Sequence, residues 1–170
     1  MEIQDTLTLA AKSLKDEGIP FALIGGFALA AHGVVRATED IDLLIVGSKR
    51  ENAKRCLLTS GFKLVFENAE VLHFSGIGQL DILLANRAAT QDMISRAKAI
   101  NGFPVPVVAA EDIIGLKIQA YKNDSKREFQ DKADIQALLE KVSNLDFNLI
   151  KKYADMFGEW RFILELQNKI

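Results

Sequence analysis

The sequence has few of the features that mark secreted, membrane-spanning or unstructured chains. Its 170 residues include one cysteine, Cys56, and three prolines. A single cysteine forms no disulfide within the chain, which favours a reducing compartment. No apolar run reaches the roughly 18 residues of a membrane-spanning helix. The scarcity of proline and the mixed composition argue against long disordered segments.

Charge of either sign is also not in excess. The formal net charge is −2, so the composition offers no overall electrostatic reason to bind nucleic acid or a membrane surface. Four basic residues, Lys49, Arg50, Lys54 and Arg55, form the clearest local cluster, a pattern more typical of a solvated helix face. The N-terminal segment carries acidic residues and no cleavage pattern, so we expect no signal peptide and a cytoplasmic location.

The distribution of patterns predicts two regions. Short apolar runs typical of strands alternate with amphipathic helices over residues 1–108, whereas residues 109–170 show helical spacing almost throughout. Nearly half of the residues are hydrophobic, enough to build a core. We therefore predict an α+β core over 1–108, followed by a small helical region over 109–170 that packs on it.

Two aspartates interrupt an apolar run in the stretch DIDLLIV. Asp40 and Asp42 share one face of the predicted strand, because successive side chains point to opposite faces. Neighbouring carboxylates repel each other, and burying them is costly unless a cation compensates. Oxygen ligands at this spacing suit Mg²⁺. The alternative is that both aspartates lie at the solvated start of the strand.

Three further features stand near this pair. Gly25 and Gly26 end a strand and open a helix, which permits close approach of a phosphate to the backbone, although such turns are common. Asp81 interrupts the apolar run QLDILL; beside the first strand it would bring a third carboxylate to the same face, and otherwise it is an isolated strand-end acid. Arg36 and Thr38 offer a cation and a hydroxyl to phosphate oxygens, or are ordinary surface residues.

The stretch GGFALAAHGVVRATEDIDLLI, within residues 21–46, resembles the signature of the nucleotidyltransferase (polymerase-beta-like) superfamily. Its Arg-x-Thr-x-Asp-x-Asp form especially resembles the small prokaryotic branch that includes abortive-infection toxins and lincosamide nucleotidyltransferases. Asp81 extends the likeness to about residue 85. The resemblance implies a mixed β-sheet flanked by helices, and an enzyme that moves a nucleoside monophosphate from a nucleoside triphosphate to an acceptor hydroxyl.

The resemblance also implies residue roles. Asp40, Asp42 and Asp81 would bind two magnesium ions, and Asp81 would also activate the acceptor. The two glycines, with Arg36 and Thr38, would bind the nucleotide. The acceptor implied is an RNA such as tRNA, a small molecule or a protein hydroxyl.

A second likeness covers residues 109–139, where Lys117, Arg127, Asp131 and Asp134 match a pattern of the same branch. The functional interpretation is that Lys117 reaches the nucleotide phosphates. The alternative is an ion pair between two helices, because charges on a buried stripe are usually paired. His73, which alternates with Val71 on a predicted strand, is expected on the face that carries Asp81.

A second hypothesis comes from another class of protein. The chain would be a catalytically weak nucleotide-binding or partner-binding member of a two-protein system of the toxin–antitoxin kind, with a protein partner or a second copy of itself. The three acids argue against this, because an inactive descendant has no need to retain them.

Overall fold

The computed structural model describes residues 2–170, and the chain divides into two compact units. One unit comprises the chain as far as Ala28 together with Arg36–Val108. The other comprises Leu29–Val35 together with Ala109–Ile170. The division expected from sequence, 1–108 and 109–170, differs from this one in placing Leu29–Val35 with the core. The local sequence pattern indicates a helix or a strand, but it does not indicate the neighbouring elements on which that helix or strand packs.

The first unit holds the sheet. Its elements are α1 (Ile3–Asp16), β1 (Phe21–Ile24), the start of α2 (Gly25–Ala31), β2 (Ile41–Val46), α3 (Arg50–Thr59), β3 (Lys63–Glu67), β4 (Val71–Ser75), β5 (Leu80–Ala85) and α4 (Ala88–Arg96). A short 3₁₀ turn, Gly47–Lys49, connects β2 to α3. The predicted strands are all present, and each is four to six residues long.

The five strands form one mixed sheet in the order β1-β2-β5-β4-β3. The strands β2 and β5 run parallel, and every other neighbouring pair is antiparallel. The parallel pair requires a crossover, which α3, β3 and β4 supply between β2 and β5. The predicted class, a mixed sheet flanked by helices, is confirmed.

The two faces of the sheet differ in character. One face carries fully buried apolar side chains, among them Leu43, Ile82 and Phe74, which form part of the core. Residues that alternate with these, Asp42 on β2 and Asp81 on β5, are partly exposed. The face that carries the acids is not wholly polar, because Ile24 and Leu44 are also buried there. The acids of β2 and β5 stand near the start of each strand.

The second unit consists mainly of helices: α5 (Ala110–Asn123), a 3₁₀ turn (Ser125–Arg127), α6 (Glu128–Lys141), α7 (Phe147–Met156) and α8 (Trp160–Gln167). α5 packs on α6 and on α7. Gly115 permits the second contact, because a Cβ atom there would come within 2.6 Å of the ring of Tyr153. No helix within residues 2–170 combines the length and the apolar character needed to cross a membrane.

Candidate active site

The centre of the candidate site is a pair of aspartates on neighbouring parallel strands. Asp42 of β2 lies directly opposite Asp81 of β5 in the register of the sheet. Residues opposite each other in a ladder project from the same face. The two carboxylates therefore stand side by side, as expected if the two apolar runs paired. Two like charges at this spacing favour a cation between or beside them.

His73 continues this row on the next strand. It lies opposite Asp81 in the antiparallel pairing of β4 with β5, and its Nδ1 is 2.5 Å from Oδ1 of Asp81. The expectation that His73 shares the face of Asp81 is confirmed. The imidazole donates this hydrogen bond in the tautomer that carries its proton on Nδ1. One carboxylate oxygen of Asp81 is thereby held in place, and both side chains stay partly exposed.

Gly25 approaches Asp42 so closely that no other residue fits. Its φ is +68°, in the left-handed region, and a Cβ atom there would lie 2.0 Å from Oδ2 of Asp42. Glycine adopts this conformation at little steric cost, and its hydrogen leaves room for the carboxylate. The backbone at the start of α2 thus packs directly against one of the two central acids.

Two other predicted nucleotide-binding residues of the first unit, Gly26 and Thr38, contact each other. A Cβ atom at Gly26 would come within 2.7 Å of Cβ and Oγ1 of Thr38, so the second glycine packs against the threonine. Oγ1 of Thr38 lies 3.5 Å from the backbone oxygen of Asp40. Asp40 immediately precedes β2 and is exposed, and Arg36 is partly buried. Thr38, in the loop before β2, therefore contacts both Gly26 and the backbone of Asp40.

The donors present suit magnesium, although they do not form a metal cage by themselves. Among the described residues, no group of three or more His, Cys, Asp and Glu is arranged to hold a metal ion. Mg²⁺, however, usually takes one or two carboxylates and completes its shell with water and substrate phosphates. The in-register pair of Asp42 and Asp81, with Asp40 nearby in sequence, matches that donor chemistry.

The second group of predicted residues lies in the helical unit and forms an ion-pair cluster. Nζ of Lys117 on α5 is 2.8 Å from Oδ1 of Asp131 and 2.7 Å from Oδ2 of Asp134, both on α6. All three side chains are buried. Nε of Arg127 also contacts Asp131, at 3.1 Å. These contacts favour the structural alternative for Lys117, and its role in nucleotide binding stays a prediction.

Three of the four residues of the basic cluster, those on α3, contact acids. Lys54 and Arg50 both contact Glu67 of β3, the former at 2.8 Å, and Arg55 contacts Glu17 at 3.2 Å. The hydrogen bond from Lys54, reinforced by Arg50, lowers the pKa of the Glu67 carboxyl. The cluster therefore resembles a solvated, paired helix face, as the sequence indicated.

Phe66 is a neighbour of the site that the sequence did not single out. It lies opposite His73 in the pairing of β3 with β4, and the two ring centroids are 5.4 Å apart. Its position depends on an irregularity in the register between Leu64 and Phe66. No sequence signal such as glycine marks that irregularity in the run KLVFE, so only the structure reveals the contact.

Solved structures share this fold over most of the chain. ANT(2")-Ia in complex with adenylyl-2"-tobramycin matches with a TM-score of 0.66 and 19% identity, over 91% of this chain and 95% of that chain. An antigenic nucleotidyltransferase-like protein from Paracoccidioides brasiliensis matches with a TM-score of 0.60 and 21% identity, over 98% and 92%. The lincosamide adenylyltransferase LnuA, bound to lincomycin, gives 0.58 and 14%, over 82% and 98%. The chain thus has the nucleotidyltransferase fold.

Part of the chain also matches a family model within the nucleotidyltransferases. Residues 8–68, just over a third of the chain, match the family described as the nucleotidyl transferase AbiEii toxin of a type IV TA system. The matched segment contains the glycine pair, Asp40 and Asp42, and it ends before Asp81. No curated protein sequence matches the chain. The family match, over part of the chain, and the shared fold together confirm the predicted resemblance to nucleotidyltransferases.

Proposed function

We propose that the chain transfers a nucleoside monophosphate from a nucleoside triphosphate to an acceptor hydroxyl, with the help of magnesium. The observation that carries the proposal is the pair of partly exposed carboxylates, Asp42 and Asp81, in register on neighbouring strands. Placing two acids side by side is unfavourable for folding alone. A cation bound between or beside the two carboxylates would compensate this repulsion and could in turn bind phosphate oxygens.

The transfer divides into one bond made and one bond broken. The acceptor oxygen forms a bond to the α-phosphorus, the bond from that phosphorus to the bridging oxygen of the β-phosphate breaks, and pyrophosphate leaves. The proton of the acceptor hydroxyl passes to a carboxylate oxygen of Asp81. His73 holds Oδ1 of Asp81, which leaves the other oxygen to face the reactants.

The remaining residues bind the triphosphate. Asp40, Asp42 and Asp81 would hold two magnesium ions, which when bound neutralise the charge on the phosphate oxygens. The backbone at Gly25 and Gly26 can approach the phosphates closely, because neither residue has a side chain in the way.

Two side chains of the loop before β2 complete the binding surface. Arg36 supplies a positive charge and Thr38 a hydroxyl to oxygens on which charge develops during transfer. Thr38 is already positioned, because it packs against Gly26 and approaches the backbone of Asp40. Substitution of either is expected to weaken nucleotide binding more than it alters stability.

The acceptor is a hydroxyl of a small molecule, an RNA or a protein. Two structural neighbours are described with antibiotics, tobramycin and lincomycin, which supports a small-molecule acceptor. The matched family is described as a toxin of a two-component system, which supports a cellular macromolecule. The second hypothesis, a catalytically weak member of a toxin–antitoxin pair, is favoured by the same description and predicts nucleotide binding without transfer.

The proposal is tested by thermal unfolding with each of the four nucleoside triphosphates, with and without magnesium. A ligand at about 100 times its dissociation constant adds about 2.7 kcal/mol of stability. We expect a magnesium-dependent shift for the wild type that disappears in Asp42→Asn. Asp92→Asn, which removes an exposed carboxylate of α4 in the same unit, should retain it.

The outcomes separate the hypotheses. A shift lost only in Asp42→Asn, followed by transfer of labelled nucleotide to an acceptor, supports the enzyme. A shift without transfer to any acceptor of the three classes favours the binding module. Absence of a shift with every nucleotide would contradict both nucleotide-binding hypotheses.

A further inference from the structure

The edge strand of the sheet contains a β-bulge next to the candidate site. Leu64 of β3 pairs with Phe74 of β4, and the next pair along the ladder is Phe66 with His73. The two partners on β4 are consecutive, whereas those on β3 are separated by Val65. One extra residue is therefore accommodated on β3, and bulges of this kind redirect side chains.

The bulge decides which side chain meets His73. In an uninterrupted ladder, Val65 would lie opposite His73 and Phe66 would lie opposite Leu72. With the bulge, Phe66 takes the place opposite His73, and its ring lies 5.4 Å from the imidazole at an interplanar angle of 36°. The phenyl side chain is thereby placed at the face that carries the acids rather than over the buried face that carries Leu72.

Phe66 gains little burial from this position. It is 52% exposed, although burial is what normally stabilises a phenyl ring in a folded chain. Its imidazole neighbour is also partly exposed. The two rings form an open aromatic surface, here called the Phe66–His73 shelf, at the edge of the carboxylate row.

The order of residues across the sheet places the shelf at the opposite end of the row from Gly25. From β2 to β3 the row reads Asp42, Asp81, His73 and Phe66. Gly25 packs on Asp42, at the end of the row where the proposed function places the nucleotide. In phosphoryl transfer the attacking and leaving oxygens lie roughly in line, on opposite sides of the phosphorus. With the nucleotide at the Gly25 end of this row, as proposed, the acceptor is expected on the other side of Asp81, where the shelf lies.

We propose that the Phe66–His73 shelf is the acceptor subsite, and that it selects hydroxyl compounds that carry a planar ring near the reacting hydroxyl. This inference rests on the proposed function, which gives Asp81 the acceptor proton. The ring of the acceptor stacks on Phe66 while its hydroxyl reaches Asp81. Phe66 is then a specificity-determining residue, and His73 both contributes to the shelf and positions Asp81.

Two matched probes test the shelf without knowledge of the natural acceptor. Phenyl β-glucoside carries hydroxyls and a planar ring, and methyl β-glucoside carries the same hydroxyls without the ring. Binding is followed by NMR through the ring resonances of His73 in the full chain. We expect phenyl β-glucoside to shift these resonances and to bind Phe66→Ala about three- to tenfold more weakly, which is the usual size of an aromatic pair contribution. Methyl β-glucoside should bind wild type and Phe66→Ala alike.

Val65→Ala is the matched control, because Val65 is a neighbouring residue of the same strand and is also exposed, at 61%. It should bind phenyl β-glucoside as the wild type does. Equal binding of both glucosides, no shift of the His73 resonances, or equal losses in Val65→Ala and Phe66→Ala would each overturn the proposal.

The nucleotide thermal shift, measured on the same variants, keeps this inference separate from the proposed function. Phe66→Ala should retain the magnesium-dependent shift of the wild type. Loss of that shift in Phe66→Ala would place the residue in the nucleotide subsite and overturn the inference. Ring discrimination in a wild type that shows no nucleotide shift would support the shelf as a binding site and contradict the transferase.

Discussion

The two units handle acidic side chains in opposite ways. In the helical unit, Asp131 and Asp134 are 1% and 3% exposed, and both contact the ammonium of Lys117. On the sheet, Asp42 and Asp81 are partly exposed and stand beside each other. In the helical unit a lysine of the same unit compensates the charge of the two acids. In the sheet the two acids remain accessible to solvent.

The difference separates acids that stabilise the fold from acids available for chemistry. A buried carboxylate is tolerated only when a cation and hydrogen bonds compensate its desolvation. A partly exposed pair of carboxylates keeps part of its hydration and can exchange water for a metal ion or phosphate-bound cation. Both sets read alike in sequence, as acids within apolar stretches, and their surroundings distinguish them.

The largest effect is expected for Lys117→Met. This substitution leaves the buried carboxylates of Asp131 and Asp134 without the ammonium between them, and we expect a loss of about 3–5 kcal/mol in the free energy of unfolding. Urea denaturation measures it. Lys152→Met, which makes the same change at an exposed position of α7, should cost less than about 0.5 kcal/mol. Equal costs for the two variants would show that the buried cluster contributes no net stability.

Gly25→Ala should have an intermediate effect. The φ of +68° and the 2.0 Å approach to Oδ2 of Asp42 mean that the new Cβ strains the backbone and displaces the carboxylate. We expect about 1–3 kcal/mol of destabilisation and loss of the magnesium-dependent nucleotide shift.

Gly18→Ala provides the control for this variant. Gly18 has a φ of +64°, and a Cβ there would meet nothing within 4 Å. It should therefore reproduce the backbone strain and leave nucleotide binding intact. A full nucleotide shift in Gly25→Ala would contradict the role assigned to the contact between Gly25 and Asp42.

The smallest effect is expected at a partly exposed ion pair of the helical unit, between Lys122 and Glu159. Burial opposes ionisation of Glu159, but hydrogen bonds from Lys122, at 2.7 Å, and from Tyr121 outweigh it and lower the pKa of the Glu159 carboxyl. A lowered pKa stabilises the fold above the usual range of glutamate, and that stability is lost as the pH falls through the folded value. Lys122→Met should cost at most about 1 kcal/mol at neutral pH.

Unfolding of this variant and of the wild type is compared between about pH 7 and about pH 3. The difference in stability should shrink as the pH falls, because Glu159 becomes protonated in both proteins. Burial, and the hydrogen bond that Tyr121 donates to Glu159, raise the pKa of the Tyr121 hydroxyl. A difference that stays constant over this range would assign the loss to packing of the lysine stem rather than to the charge pair.

Much of the sheet, and the positions of its acidic residues, were predictable from the alternation of apolar and polar residues in the sequence. Alternation within each strand predicted that Asp42, Asp81 and His73 share a face if the strands pair, and the register shows this pairing. The helical ion pair of Lys117 was one of two alternatives that the spacing allowed. The pairing partner of an edge strand is not encoded by alternation when a bulge intervenes, so the contact of Phe66 with His73 was missed. The grouping of Leu29–Val35 with the later helices was missed for a similar reason, because it depends on tertiary neighbours.

The parallel register of β2 and β5 makes the alignment of Asp42 with Asp81 depend on apolar packing on the opposite face of the sheet. Leu43 pairs with Ile82 one residue beyond the pair of Asp42 and Asp81, and both apolar residues are fully buried. A slip of one residue would turn one set of these side chains toward the wrong face. The buried contacts between β2 and β5 therefore fix the alignment of the two acids, and a core substitution that shifts this register is expected to impair the candidate site without touching any residue that would meet a ligand.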